Sequence, residues 1–305
     1  MTSRRKRGRI TKAPRPSAPQ PIDGAGEAPA TEPTSRVSNL ALRFVTAGVG
    51  IPILLLLIFV IPQPGFFVVV AGAIGIGAAE AITMMLPRER DKLYVGVPIA
   101  VGLSTILYLA RAPAAVAAAG VGLVVATLVL FLFRPGAMET TAKRLSFFLF
   151  AVAYPALLLT PVGLLHRRSD GPWWVLLVLA LTWLADTGAY FAGRFLGRHK
   201  LMPAVSPAKT VEGAVGAVLA ATVAALVVVG FFLPRVPLWQ AAILGAVGGV
   251  LNILGDLSES MLKRSVGVKD SGTLLPGHGW MLDRVDALMF TGPAVWLFAE
   301  LIVGT

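Results

Sequence analysis

The chain is divided into apolar segments that are each long enough to cross a lipid bilayer. A transmembrane α-helix needs about 20 predominantly apolar residues, because each residue advances the helix by about 1.5 Å through a hydrocarbon core about 30 Å thick. Segments of this length occur at 40–61, 66–86, 93–110, 114–133, 145–165, 173–195, 212–232, 239–262 and 285–303. We therefore predict an all-α, polytopic integral membrane protein with about nine transmembrane helices.

The composition supports this prediction and excludes several kinds of chemistry. Hydrophobic residues make up 56% of the chain and charged residues 14%, whereas soluble domains contain roughly 45–50% and about 25%. The chain contains no cysteine. Disulfides, thiolate metal sites and cysteine nucleophiles are therefore excluded.

The distribution of Lys and Arg predicts the orientation in the membrane. If the N-terminus is cytoplasmic, 23 of the 27 Lys and Arg residues fall in the N-terminal tail or on the cytoplasmic side, and four fall outside. Such an excess is typical of cytoplasmic loops. We therefore predict a cytoplasmic N-terminus, with the charge-rich loops 196–211 and 264–284 on the cytoplasmic side. The Arg167-Arg168 pair runs against this bias.

Residues 1–38 differ from the rest of the chain. They are rich in Pro, Ala and Arg and contain no sustained apolar run. We expect a disordered, basic cytoplasmic tail that touches anionic lipid. A partner-binding arm is the alternative.

Ionisable residues share one face in two of the predicted helices. In the eighth segment, a spacing of i, i+3, i+4 and i+7 relates Asp256, Glu259, Ser260 and Lys263. In the sixth, a spacing of i, i+4 and i+8 relates Asp186, Tyr190 and Arg194. In each helix an acid lies about 10–12 Å deeper than a cation. Ionised groups at such depth are costly, so this pattern indicates a site for an anionic ligand and a metal.

Two runs of charged residues and glycines begin within these helices and continue beyond them. The later one contains Ser260-x-Leu262-Lys263-Arg264, Lys269-Asp270 and Leu275-Pro276-Gly277-His278-Gly279-x-Met281-Leu282-Asp283-Arg284-x-Asp286. The earlier one contains Asp186-Thr187-Gly188-Ala189-Tyr190, Gly193-Arg194, Gly197 and Ser206-Pro207-x-Lys209-Thr210-x-x-Gly213. We predict a helix that is capped by Ser206 and begins at Pro207. Its free N–H groups could hold a phosphate, and an ordinary capped helix is the alternative.

Together the two runs resemble the signature of the phosphatidate cytidylyltransferase (CDP-diacylglycerol synthase) family. The resemblance covers about the last 120 residues, and it departs from the family pattern at Trp280, where the family has a second glycine. It implies transfer of CMP from CTP to phosphatidate, which gives CDP-diacylglycerol and pyrophosphate. It also implies Mg²⁺, with a second metal ion left open, and it makes residues 173–305 the catalytic region behind an N-terminal group of helices at 39–165.

The residue types suit this chemistry. The phosphate of the lipid is already an oxygen nucleophile, so the protein needs to position the reactants in line and to neutralise the charge of the triphosphate. Carboxylates that hold Mg²⁺ and a set of Lys and Arg residues supply both functions.

Roles for individual residues follow from the resemblance and from depth in the membrane. Asp283, by the family motif, and Asp256, by its depth, are the first choices for metal ligands, and a structural ion pair with Lys263 or Arg284 is the alternative. Further candidate ligands, or groups that support the ligands, are Asp186, Asp270 and Asp286.

The expected phosphate contacts come from both runs. The catalytic group comprises Lys263, Arg264, Lys269, His278 and Arg284, with a purely topological role as the alternative for the cations. The substrate-binding group comprises Ser206, Lys209, Thr210, Ser260 and Arg194. Glu80 and Glu300 lie outside the runs. We expect Glu80 to pair within the helix bundle and Glu300 to be structural.

Two other classes of protein stay open. A CTP-dependent polyprenol kinase would use similar metal and phosphate groups, and an ion-coupled transporter would use acids near the middle of the membrane. For the favoured class the expected partners are CTP, phosphatidate and membrane lipid, without nucleic acid, and a homodimer stays open. We expect a multi-pass protein of the cell membrane with its active site facing the cytoplasm.

Overall fold

The fold is that of a computed structural model, which describes residues 50–268 and 281–304. The predicted tail at 1–38 and the predicted site residues Lys269, Asp270 and His278 lie outside the described residues.

The described chain is almost entirely helical. Its helices are α1 (Gly50–Phe59), α2 (Gln63–Met85), α3 (Leu93–Leu109), α4 (Pro113–Phe133), α5 (Met138–His166), α6 (Gly171–Leu196), α7 (Val211–Phe232), α8 (Leu238–Ser265) and α9 (Leu282–Phe298). A 3₁₀ turn, Arg90–Lys92, precedes α3, and a π-helical turn, Ala299–Val303, continues α9.

The predicted all-α membrane architecture is confirmed. Within the described ranges, eight helices, α2 to α9, are long and apolar enough to span a bilayer. The first predicted segment, 40–61, extends outside those ranges, and α1 is its described part. Large apolar side chains such as Leu132, Phe133 and Phe231 are exposed on the outside of the bundle. Such an apolar exterior is expected of a surface in contact with lipid.

Polar contacts between helix ends define the two ends of the bundle. At one end the Gln63 amide donates to the Arg167 carbonyl at 3.3 Å, and the Arg168 guanidinium donates to Glu300 at 3.0 Å. At the other end Arg144 donates to Glu89 at 2.6 Å. The second end also contains the C-terminal end of α8, the N-terminal end of α9 and the α6–α7 connection, and we call it the site end.

A β-hairpin connects α6 and α7 at the site end. Strand β1 (Lys200–Met202) pairs antiparallel with β2 (Ser206–Thr210), and Lys200 lies opposite Thr210. The predicted helix start at Ser206 is therefore wrong. Thr210 caps α7 instead, since its hydroxyl oxygen accepts from the Gly213 N–H at 3.1 Å. Pro207 is tolerated in β2 because a two-stranded ribbon leaves N–H groups along its outer edges without a required partner.

Small residues bring α6 and α7 into backbone contact. A Cβ atom at Gly188 would collide with the carbonyl oxygen of Gly216, and a Cβ at Gly216 would collide with Ala192. Membrane helices approach this closely only through such small residues. The contact fixes the position of the hairpin that connects the two helices.

Candidate functional site

A polar cavity of about 530 Å³ opens at the site end between α6, α7, α8 and the hairpin. It is lined by residues of the earlier run and of α8, including Asp186, Tyr190, Arg194, Lys209, Thr210, Asn252 and Asp256. The common face predicted for Asp186, Tyr190 and Arg194 thus forms one wall, because these residues are one turn apart on α6.

Asp186 is held by a residue that the sequence reasoning did not include. The Asn252 amide donates to Asp186 Oδ1 at 2.7 Å. Asn252 is 2% exposed, and its own Oδ1 is buried without a hydrogen-bond partner among the described residues. The sequence does indicate that Asn252 belongs to the site, because it lies four residues before Asp256 and therefore on the same face of α8.

An ion pair joins the hairpin to α8. Lys209 of β2 contacts the Asp256 carboxylate through its ammonium group. The Asp256 side chain is 42% exposed, so it remains accessible from the cavity. This ion pair holds the end of β2 against α8.

A second charged group lies where α8 meets α9. The Lys263 ammonium donates to Asp283 Oδ1 at 2.6 Å and lies 3.6 Å from Glu259 Oε1. The buried carboxyl of Glu259 adjoins the carboxyls of both Asp283 and Asp286. The carboxyls of Glu259, Asp283 and Asp286 therefore lie around the Lys263 ammonium. Glu259 shared the predicted face of α8 but had no assigned role.

The two charged groups are neighbours. Asp286 interacts electrostatically with both Asp186 and Asp256. Gly255, between them on α8, allows this, since a Cβ there would come within 2.7 Å of the Asp286 carbonyl oxygen. The cavity and the α8–α9 group together form one continuous charged site at the site end of the bundle.

The remaining predicted residues lie around this site. Arg264 and Arg284 are exposed at the ends of α8 and α9, and Ser260 lies on α8 beside Glu259. Ser206 lies in β2 opposite Met202 and is not among the residues that line the cavity.

The predicted ligands Asp256 and Asp283 belong to different ion pairs, with Lys209 and Lys263 respectively. Among residues 50–268 and 281–304, no three acidic or histidine side chains form a ready-made metal cage. Mg²⁺ is commonly bound by one or two carboxylates together with substrate phosphates. Asp186, Asp256 and the unpartnered Asn252 oxygen supply donors of that kind around one cavity, so these residues fit a metal that binds together with a phosphate substrate.

Fold and site define a multi-pass membrane protein with a charged cavity at one end of its helix bundle. The chain belongs to the cytidylyltransferase family, whose model matches residues 41–302. It is 46% identical over 130 residues to a phosphatidate cytidylyltransferase of Staphylococcus saprophyticus, a match that covers 43% of this chain and 50% of the relative.

Two further relatives carry the same name. A phosphatidate cytidylyltransferase of Staphylococcus haemolyticus is 40% identical over 151 residues, which is 48% of this chain and 56% of that protein. One of Synechocystis is 45% identical over 130 residues, which is 42% of this chain and 43% of that protein. The chain thus spans about half the length of the curated relatives that it matches.

Proposed function

We propose that the protein transfers CMP from CTP to phosphatidate and so forms CDP-diacylglycerol and pyrophosphate. The observation that carries this proposal is the charged site, in which the cavity lined by residues of the earlier run adjoins Lys263, Asp283 and Asp286 of the later run at one end of a membrane-spanning bundle. Membership of the cytidylyltransferase family and the names of the relatives support it.

The reaction is a substitution at the α-phosphorus of CTP. An oxygen of the lipid phosphate forms a new bond to that phosphorus, and the bond from it to the bridging oxygen of the β-phosphate breaks, which releases pyrophosphate. The nucleophile is already ionised, so no protein base is needed. The protein contributes position and compensation of charge.

Lysines and arginines bind the phosphates in this proposal. Lys209 and Arg194 line the cavity and contact the triphosphate, together with the Thr210 hydroxyl. Lys263, Arg264 and Arg284 surround the junction of α8 and α9 and contact the phosphates from that side. The roles of five further residues in the site stay predictions. Two of these residues, Ser206 and Ser260, are described, and three lie outside the described ranges: Lys269, Asp270 and His278.

Acidic residues hold the metal in this proposal. Asp186, Asp256 and the Asn252 oxygen would bind Mg²⁺ at the cavity, and Asp283 and Asp286 are the candidates at the junction, where a second ion stays open. Mg²⁺ would neutralise the negative charge that develops on the pyrophosphate leaving group.

The location of the site suits a substrate whose acyl chains stay in the bilayer. Asp283 lies in the first turn of α9, and Asp256 and Asp186 lie nine and ten residues from the ends of α8 and α6 at the site end. The cavity opens at that end, where a lipid headgroup can reach it. Because CTP is a water-soluble nucleotide, we propose that the site end faces the cytoplasm, in a multi-pass protein of the cell membrane. The positive-inside bias supports the same orientation.

Transfer of label from CTP tests the proposed reaction. Purified protein is incubated with phosphatidate, Mg²⁺ and CTP that carries ³²P in either the α- or the γ-phosphate, and the lipid is extracted. We expect α-label in the lipid and γ-label in pyrophosphate. Appearance of γ-label in the lipid would instead identify a CTP-dependent lipid kinase.

A further inference from the structure

We propose that Glu80 is a positioning residue, whose carboxylate holds the first turn of α9 and thereby sets the place of Asp283 in the site. Glu80 lies on α2 and is more than 100 residues from either run along the sequence. The structural part of this proposal is independent of the reaction. Its kinetic part rests on the proposed cytidylyltransferase activity.

Glu80 binds the start of α9 with both carboxylate oxygens. Oε1 accepts from the Met281 N–H at 2.8 Å, and Oε2 accepts from the Leu282 N–H at 2.9 Å. The side chain is fully buried. The first N–H groups of a helix have no partner within that helix, and the residue before α9 provides no side-chain cap. Glu80 therefore serves as the cap of α9 from another helix.

The charge of Glu80 suits this position. The N-terminal end of a helix carries partial positive charge, and hydrogen bonds from N–H groups to a carboxylate are stronger than those to neutral acceptors. Glutamine has the same shape but only one acceptor oxygen, and its NH₂ group would face an N–H donor. The site therefore requires a carboxylate and not merely a polar side chain.

This cap is connected directly to the charged site. Gly77 lies one turn before Glu80 on α2 and leaves room for Leu282, since a Cβ at Gly77 would come within 3.2 Å of that side chain. The next residue, Asp283, contacts Lys263 at 2.6 Å. One chain of contacts thus runs from Glu80 through the first turn of α9 to Asp283 and Lys263.

Hydrogen exchange tests the structural part. In Glu80→Gln we expect the amides of the first turn of α9 to exchange at least tenfold faster than in the wild type, and in Glu80→Asp we expect an intermediate rate. Glu139→Gln, an exposed glutamate in the first turn of α5, is the matched control and should exchange like the wild type. Unchanged exchange at 281–282 in Glu80→Gln would overturn the proposal.

Kinetics separate positioning from simple stability. In folded Glu80→Gln we expect kcat to fall at least tenfold and the Mg²⁺ concentration for half-maximal rate to rise, with partial recovery in Glu80→Asp. Faster exchange with wild-type kcat and Mg²⁺ dependence would show that the contact is only structural. If Glu80→Gln does not fold, the same two measurements on Glu80→Asp decide. If the wild type makes no CDP-diacylglycerol, the proposed function fails, and hydrogen exchange still decides the role of the cap.

Discussion

At the scale of single residues, each of the two acids that were the first choices for metal ligands contacts a lysine predicted to bind phosphate. Asp256 contacts Lys209, and Asp283 contacts Lys263. An ion pair gives a structural reason for both partners, because removing one partner leaves the other charge without its partner in a partly buried place. Structural and chemical roles therefore make different predictions for the same substitution.

Asp283→Asn separates the two roles. The amide keeps the volume and one acceptor oxygen but removes the charge. A ligand role predicts that kcat falls by about 10²-fold or more, as when another major electrostatic contribution to catalysis is removed, and that added Mg²⁺ restores part of the rate. Steady-state kinetics over a range of Mg²⁺ concentrations measures both effects.

The control for this substitution is Asp91→Asn, which makes the same change at an acid that is 53% exposed and lies before α3. It should leave kcat near that of the wild type. A structural role of Asp283 predicts lost thermal stability and normal turnover in the folded fraction. Normal turnover of Asp283→Asn at low Mg²⁺ would show that our placement of the metal site is wrong.

Lys209→Met tests the phosphate contact in the cavity. Hydrogen bonds that involve charged groups contribute about 1.5–3 kcal/mol, so we expect kcat/KM for CTP to fall by about 10- to 100-fold. Lys143→Met is the matched control, since Lys143 lies on α5 against Phe147 and away from the cavity. Equal losses in both variants would indicate a general effect of surface charge.

At the scale of elements, hydropathy predicts the apolar part of a helix better than its ends. The segment at 212–232 agrees with Val211–Phe232 to within a residue. In contrast, α5 begins at Met138 and not at 145, and α8 continues to Ser265 and not to 262. Helical hydrogen bonding continues into polar residues outside the apolar segments, and Lys263 and Asp283 of the charged site are two of them.

The hairpin was missed for a different reason. Ser206-Pro207 is a favourable helix start in local terms, but Thr210 is the residue that caps α7. Pairing with β1 decides between the two. That pairing depends on residues outside the motif and is not visible in its spacing.

Gly216→Leu tests the close packing of α6 and α7. A large side chain at this contact forces the two backbones apart, and overpacking costs about 1–3 kcal/mol or more. We expect a lower Tm in detergent and loss of activity, because the hairpin moves with the two helices. Gly120→Leu adds the same atoms where no heavy atom lies within 4 Å of the new Cβ, and it should have the wild-type Tm. A wild-type Tm for Gly216→Leu would contradict the backbone contact.

At the scale of the whole molecule, the hairpin and the described residues that flank the second charged loop lie at one end of the bundle. The sequence predicted this common side from the Lys and Arg count, and the contact between Lys209 and Asp256 joins the hairpin to α8 there. The sequence could not show that α2 contributes to the site. The partners of Glu80 are backbone amides 201 and 202 residues away. Because nearly every residue type has a backbone N–H group, the sequence does not indicate which N–H groups Glu80 binds.

Cysteine labelling tests the proposed orientation in a chain that has no cysteine of its own. Ala208→Cys lies in the hairpin at the site end, and Ser169→Cys lies in the α5–α6 connection at the opposite end. Both positions are exposed. In intact cells an impermeant maleimide should label Ser169→Cys only, and in inside-out vesicles Ala208→Cys only. The reverse pattern would place the site end outside the cell.

The contact between Glu80 and α9 also bears on the order in which the protein is made. Helix α2 is synthesised roughly 200 residues before the amides of Met281 and Leu282 exist. Until then the nascent chain must keep the Glu80 carboxylate in a membrane-spanning helix without its final partners, and ionisable groups within the membrane are costly. Arrival of α9 removes this penalty. Docking of α9 onto α2 should therefore stabilise the nascent protein, and ribosome-bound chains that stop before α9 should be recognised more readily by membrane quality-control proteases than chains that include it.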